Sequence, residues 1–111
     1  MKQTRLCSLD EVENGGSTGL IVEIDGLRTS LIIVRQGEQA FVYVNICPHT
    51  GAPLDFEPGQ FMNFDHAFIM CAMHGALFNI HDGFCIQGPC VGKSLTPVVS
   101  EVREGQVWLA V

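Results

Sequence analysis

Residues 45–78 read NICPHTGAPLDFEPGQFMNFDHAFIMCAMHGALF, and this stretch contains two short pairs of side chains of the kinds that bind metals. The first pair is Cys47 and His49, with one residue between them, and the second is Cys71 and His74, with two residues between them. Thiolate sulfur and imidazole nitrogen are both strong ligands for transition metals. The stretch therefore offers two sulfur donors and two nitrogen donors, one of each from each pair.

A glycine follows each pair closely, at Gly51 and at Gly75. Because glycine has no Cβ, it adopts left-handed backbone conformations and lets backbone amides turn toward a bound ion or sulfide. The two glycines predict that each pair lies on a tight loop, and that the two loops face one shared site.

The ligand types alone leave two kinds of site open, tetrahedral zinc and an iron–sulfur cluster with mixed ligands. Zinc sites with mixed ligands usually take both cysteines from the first pair and both histidines from the second. Here each pair contributes one of each, which suits a two-iron cluster whose irons are bound by Cys47 with Cys71 and by His49 with His74. The spacing favours the iron–sulfur interpretation, and a structural zinc domain stays as the alternative.

The arrangement resembles the Rieske family beyond the four side chains. Residues 47–54, CPHTGAPL, are similar to the family's first cluster loop, and residues 71–78, CAMHGALF, are similar to its second. Residues 88–90, Gly-Pro-Cys, followed by Leu95, resemble the proline loop that packs over the cluster. The resemblance implies one 2Fe-2S cluster of the Rieske type with two Cys and two His ligands, namely Cys47, His49, Cys71 and His74.

The chain departs from the respiratory members of that family at four positions. Those members have an additional cysteine in each loop, joined as a disulfide, and a serine and a tyrosine whose hydroxyls donate to sulfur. This chain has Ala52 and Met73 in place of the cysteines, Ala76 in place of the serine and Phe78 in place of the tyrosine. The resemblance therefore implies a low-potential Rieske ferredoxin that lacks the disulfide, with a potential between about −150 mV and zero.

Short apolar runs separated by glycine-marked turns predict an all-β fold, a Rieske-like antiparallel sandwich or barrel. Asp25-Gly26 is a strong hairpin signal between the runs at 19–24 and 27–35. Two final strands at 98–102 and 106–111 turn about Glu104-Gly105 and are expected to rejoin the first sheet.

The chain of 111 residues predicts a single Rieske domain over 1–111. We expect base β-sheets from about 1–45 and 96–111, and a small inserted cluster-binding subdomain from about 46–95. Pro58 and Gly59 exclude a continuous helix between the two ligand pairs. Residues 56–64 are accordingly predicted to be an irregular insertion.

The chain has 12 acidic and 6 basic residues, a formal net charge of −6. This balance argues against nucleic acid or an anionic membrane as partner and favours docking onto a basic patch of a protein. The N-terminal residues are not followed by an apolar run, so we expect neither a signal peptide nor an anchor, and a cytoplasmic location. In a reducing cytosol Cys7, Cys85 and Cys90 are predicted to be free, buried thiols.

The resemblance implies a soluble electron carrier that relays single electrons from a reductase to an oxygenase or another acceptor, with redox partners docking near His49 and His74. We expect no enzyme, because no nucleophile with its base and no phosphate-binding loop can be found, and we name no catalytic residue. One alternative keeps the cluster and makes the chain a Rieske-like small subunit or redox sensor of a reductase such as nitrite reductase. The other alternative is the structural zinc domain.

Overall fold

The computed structural model describes residues 4–55, 59–71 and 75–110. Over these residues the chain forms antiparallel β-sheet with one short 3₁₀ helix, as the predicted all-β fold requires. The elements in chain order are β1 (Thr4–Ser8), the 3₁₀ helix (Leu9–Glu11), β2 (Ser17–Ile24), β3 (Leu27–Gln36), β4 (Gln39–Val44), β5 (Ile69–Cys71), β6 (Ala76–Phe78), β7 (Cys85–Gln87), β8 (Ser100–Arg103) and β9 (Gln106–Leu109). The strands form three sheets of three strands, ordered β1-β9-β8, β2-β3-β4 and β5-β6-β7.

The β2-β3-β4 sheet is a meander whose first turn confirms the hairpin prediction. Ile24 pairs with Leu27, so that Asp25 and Gly26 form a two-residue turn. Both turn residues have positive φ, +52° and +80°, as a type I′ turn requires. The twist of this turn matches that of the flanking strands, and β4 then leads directly into the first ligand pair.

Strand β3 separates two hydrophobic cores. Its run Leu31-Ile32-Ile33-Val34 is fully buried, with each side chain 0% exposed. Ile32 and Val34 face the first core, and Leu31 and Ile33 face the second. A continuous apolar run is what a strand covered on both faces needs, because its side chains alternate between the two faces.

Strand β4 alternates in the same way. Tyr43 is buried in the first core with Phe41 packed against it, whereas Val42 is buried in the second core with Val44 against it. The side chains of β4 therefore help to build both cores.

The two C-terminal strands differ from the prediction in their partners. They form a hairpin about Glu104 and Gly105 as expected, but β9 pairs with β1 in a separate sheet. The β2-β3-β4 sheet is reached by residues 96–98, where the Val44 N–H donates to the Thr96 carbonyl and the Val98 N–H donates to the Val42 carbonyl, both at 2.9 Å. Because these residues bond to β4, the predicted strand from residue 98 begins only at Ser100.

The β5-β6-β7 sheet carries the second ligand pair, because Cys71 is the last residue of β5 and β6 begins at Ala76, two residues after His74. Residues 59–64 of the predicted insertion contain no regular strand, as predicted, while residues 56–58 lie outside the described residues. Two contacts tie the insertion to β2, because the Ser17 hydroxyl donates to the Gly59 carbonyl at 2.9 Å and accepts from the Phe61 N–H at 3.2 Å. The division into a base at 1–45 and 96–111 and a subdomain at 46–95 stays a prediction.

Candidate metal centre

Both predicted ligand loops are closed by a backbone hydrogen bond between residues four apart. The Gly51 N–H donates to the Cys47 carbonyl at 2.8 Å, and the Gly75 N–H donates to the Cys71 carbonyl at 2.9 Å. Both glycines have positive φ, +76° and +66°, and a Cβ on either would meet no atom within 4 Å. Glycine is therefore needed here for its backbone conformation and not for lack of space.

The first loop is closed at its base by Asn45, the residue that follows β4. Asn45 is 5% exposed, and its side-chain oxygen accepts a hydrogen bond from the Leu54 N–H at 2.8 Å. Its amide nitrogen donates to Asp55 Oδ1 at 3.0 Å and to Ser30 Oγ at 3.3 Å. Within the loop, the Cys47 N–H donates to the Ala52 carbonyl at 2.8 Å. These bonds fix the loop as a closed unit, and Asn45 is a positioning residue that the sequence pattern did not single out. Its signal was an amide side chain directly after an apolar strand and before a ligand pair.

The second loop joins β5 to β6. Cys71 is the last residue of β5 and pairs with Ala76, the first residue of β6. The ladder therefore holds Cys71 rigidly at the end of a strand. The fourth predicted ligand, His74, and its neighbours Ala72 and Met73 lie outside the described residues.

The structure brings the two predicted sulfur ligands together. Cys47 and Cys71 are 1% and 0% exposed in the same core, and their side chains are hydrogen-bonded. Burial alone would raise the pKa of the Cys47 thiol. Hydrogen bonds from the backbone of Thr50 and His49 and from the Cys71 and Thr50 side chains outweigh burial and lower that pKa. Donors directed at a sulfur stabilise its thiolate form, which is the form that binds metal.

His49 lies on the exposed side of the first loop, whereas the preceding Cys47 is buried. Among residues 4–55, 59–71 and 75–110, no three His, Cys, Asp or Glu side chains form a group that could hold a metal. The described residues therefore assemble the sulfur half of the predicted ligand set but not the imidazole half.

Residues 88–90, the predicted proline loop, lie against both ligand loops. Gly88 has φ +103°, and a Cβ there would be 2.8 Å from the Cα of Ala76 in the second loop. Cys90 is buried close enough to Cys47 for the charge of Cys47 to raise the pKa of the Cys90 thiol, after the larger effects of burial and of Cys85. The segment thus closes the site from a third direction.

Tyr43 connects β4 to the turn that precedes β7. Its hydroxyl donates to the Ile80 carbonyl at 2.5 Å, and a Cβ on Gly83 would lie 2.8 Å from its ring. Burial, with a smaller contribution from the Asp82 charge, raises the pKa of Tyr43 to about 12. This contact fixes the β6–β7 turn to the central meander.

The family model described as the Rieske [2Fe-2S] domain matches residues 2–105. The chain belongs to the Rieske [2Fe-2S] domain family. The predicted family and its cofactor, one Rieske-type 2Fe-2S cluster, are thereby confirmed, and the chain is an electron-transfer protein. The chemistry of the donor set fits this group, because two buried thiols meet between two matched loops.

Three solved structures share the fold over at least 92% of both chains compared. The ferredoxin of carbazole 1,9a-dioxygenase from Nocardioides aromaticivorans IC177 is 24% identical, with a TM-score of 0.77, over 99% of this chain and 98% of that chain. A chain from a complex of reduced oxygenase and oxidized ferredoxin in carbazole 1,9a-dioxygenase is 28% identical, with a TM-score of 0.73, over 97% and 92%. The third is a protein described as a nitrite reductase NADPH small subunit, 16% identical, with a TM-score of 0.69, over 100% of both chains.

The predicted Rieske-like fold is therefore confirmed. A comparison with curated proteins found no match. Within the part of the chain that the structure describes, no helix has both the length and the apolar character needed to cross a membrane.

Proposed function

We propose that this Rieske protein is a ferredoxin that passes single electrons from a reductase to an oxygenase or another acceptor, and that it performs no catalysis of its own. In this proposal Cys47 and Cys71 bind one iron of the cluster, and His49 and His74 bind the other. The observation that carries the ligand set is the pair of matched glycine turns that places two buried, hydrogen-bonded thiols side by side.

When bound, the cluster supplies a couple that gains or loses one electron. The protein's own groups prepare the site for it. The backbone of Thr50 and His49 directs hydrogen bonds at the Cys47 sulfur, and Asn45 keeps the first loop closed around it. Residues 88–90 cover the sulfur side and exclude water from it. His49, which is exposed, leaves an edge open where a partner can approach closely enough to exchange an electron.

We propose a reduction potential between about −150 mV and zero, the low end of the range for Rieske clusters. Ala76 and Phe78 are 1% and 0% exposed and carry no hydroxyl at the two positions where respiratory members have one. A hydrogen bond to a cluster sulfur strengthens when the cluster gains negative charge, so its absence disfavours the reduced state. The net charge of −6 acts in the same direction.

We propose that the partners are redox proteins of the cytoplasm, docking near His49 and His74 through a basic surface of their own. The acidic balance of the chain supports such a surface, because opposite charge accelerates encounter. The 28% identical chain from a complex of oxygenase and ferredoxin supports an oxygenase as acceptor.

The decisive experiment is an anaerobic preparation with iron and sulfide analysis and a low-temperature paramagnetic resonance spectrum of the dithionite-reduced protein. We expect the two irons and two sulfides of a 2Fe-2S cluster and a lower average g value than cysteine-only ligation gives. Cys47→Ser, Cys71→Ser, His49→Ala and His74→Ala should each lose the signal.

Cys7→Ser is the matched control, because Cys7 is also buried but lies in the second core. It should keep the signal. A colourless protein that binds zinc after anaerobic reconstitution would contradict the proposal. So would a His49→Ala or His74→Ala variant with an unchanged spectrum.

A further inference from the structure

Two cysteines outside the proposed ligand set are in direct contact. The Cys90 thiol donates to Cys85 Sγ at 3.0 Å, and the Cys85 thiol donates to the Gln87 carbonyl at 3.2 Å. A disulfide bond is about 2.05 Å long, so the two sulfurs are only about 1 Å from bonding distance.

The backbone fixes this contact. The Cys85 N–H donates to the Lys93 carbonyl, and the Lys93 N–H donates to the Cys90 carbonyl, each at 2.9 Å. Lys93 therefore joins both cysteine residues across the turn that contains Gly88 and Pro89. The Val91 N–H adds a bond to the Gly88 carbonyl at 3.3 Å within the same turn. The closed turn bonds both cysteine residues to Lys93 and so keeps their backbones near each other, as a disulfide between them requires.

We propose that Cys85 and Cys90 are a redox-active pair that a low-molecular-weight disulfide, such as oxidised glutathione, converts to an intramolecular disulfide. In this reaction one protein thiolate attacks the oxidant's S–S bond and releases one thiol, and the second protein thiolate then displaces the other. Two protein S–H bonds are lost and one S–S bond forms. The two electrons and two protons leave with the oxidant, which becomes two thiols.

The cysteine pair lies in the same core as the two proposed sulfur ligands. Cys85 and Cys90 are 0% and 1% exposed in the core that also contains Cys47 and Cys71. The turn that the disulfide would lock is the one that packs against Ala76. A two-electron thiol couple therefore lies beside the proposed one-electron cluster site. Its oxidation would cross-link residues 85 and 90 and so restrict the motion of the segment that covers the cluster site.

Burial also sets the rate. The pKa of the Cys90 thiol is raised to about 12, chiefly by burial and then by Cys85, so Cys90 is protonated near neutral pH. Both sulfurs are buried, so an oxidant as large as oxidised glutathione reaches them only when the chain around them opens locally, which makes the oxidation slow.

The test is a redox titration of the intact holoprotein read by mass spectrometry. One sample starts reduced and a second starts after treatment with diamide, and both are equilibrated anaerobically in glutathione buffers of increasing oxidation. The protein is then quenched with acid, alkylated and digested. We expect the peptide with Cys85 and Cys90 to lose two hydrogens and both alkylation sites in oxidising buffers, reversibly with dithiothreitol, while Cys7 stays alkylated.

Cys85→Ser and Cys90→Ser should each abolish the loss of two hydrogens, and Cys7→Ser should keep it. The proposal is overturned if Cys85 and Cys90 are still alkylated in the most oxidising buffer from both starting points, or if either is joined to glutathione or to another cysteine instead. The mass measurement detects thiols whether or not iron is bound. A failure here is therefore distinct from a failure of the proposed ligand set.

Discussion

Alanine at Gly88 tests whether residues 88–90 press against the second ligand loop. Gly88 has φ +103°, and an added Cβ would lie 2.8 Å from the Cα and 3.0 Å from the Cβ of Ala76. The first of these atoms is backbone at the start of β6, which cannot move aside without disturbing Cys71, its ladder partner. The change should therefore strain the turn and also push it away from the loop.

Gly92 provides the matched control four residues further on. Its φ is +94°, and a Cβ there would meet no atom within 4 Å. Both alanines incur the strain of a positive φ, about 1–3 kcal/mol. Only Gly88→Ala adds the overpacking against Ala76, about 1–3 kcal/mol more. The difference between the two variants isolates the contact.

Urea unfolding gives the first measurement. An additional loss of about 1–3 kcal/mol corresponds to a midpoint lower by about 1 M than that of Gly92→Ala, because small domains lose about 1–3 kcal/mol of stability per molar urea. The second measurement is the rate at which a chelator removes iron, which should be higher for Gly88→Ala than for Gly92→Ala. Equal midpoints and equal rates in the two variants would refute the contact and the covering role of residues 88–90.

Three other changes give definite expectations. Asn45→Ala leaves the buried Leu54 N–H without its acceptor, which should lower the free energy of unfolding in urea by about 1–3 kcal/mol and also lower the iron content. A variant as stable as the wild type would show that the hydrogen bonds of Asn45 are dispensable. Folding raises the pKa of the Tyr43 hydroxyl from 10.0 to about 12, so the protonated hydroxyl stabilises the fold fully below pH 10 and this stabilisation is lost as the pH rises toward 12. The urea midpoint should therefore fall more steeply between pH 10 and 12 in the wild type than in Tyr43→Phe, and equal slopes would contradict this. Phe78→Tyr adds a hydroxyl that can donate a hydrogen bond of about 1 kcal/mol to a sulfur of the reduced cluster, which corresponds to a reduction potential higher by about 40 mV in voltammetry. An unchanged potential would mean that the hydroxyl does not reach sulfur.

Local chemistry made much of the fold predictable. Asp25-Gly26 and Glu104-Gly105 each have positive φ at both residues, a conformation that few dipeptides adopt, so their sequences identify the hairpins directly. The β-branched, apolar run from Leu31 to Val34 likewise predicts a strand. The partner of β9 was not predictable in this way, because strand pairing between distant segments depends on how the cores close and not on the strand's own sequence.

The candidate site divides in the same manner. Cys47 and Cys71 could be named because their spacing to glycine is local, and the structure brings them together as expected. The contact between Cys85 and Cys90 could not be inferred, because it requires the return of the chain through Lys93. The sequence shows two cysteines five residues apart, and such a spacing is compatible with sulfurs that face each other or point apart.

Strand β3 explains how so small a chain can hold a precise site. Its side chains Ile32 and Val34 belong to the core that contains both Cys47 and Cys71, while Leu31 and Ile33 pack into the core of the terminal strands. Moving one ligand loop therefore disturbs packing on β3, and β3 cannot shift without disturbing the second core. Close-packed cores resist such shifts, so the packed core around β3 keeps the two sulfurs in place. His49 is exposed and lies outside this core. In the proposed ligand set Cys47 and Cys71 would hold one iron against this packed core, and His49 and His74 would hold the other on the exposed side, where a partner could exchange an electron.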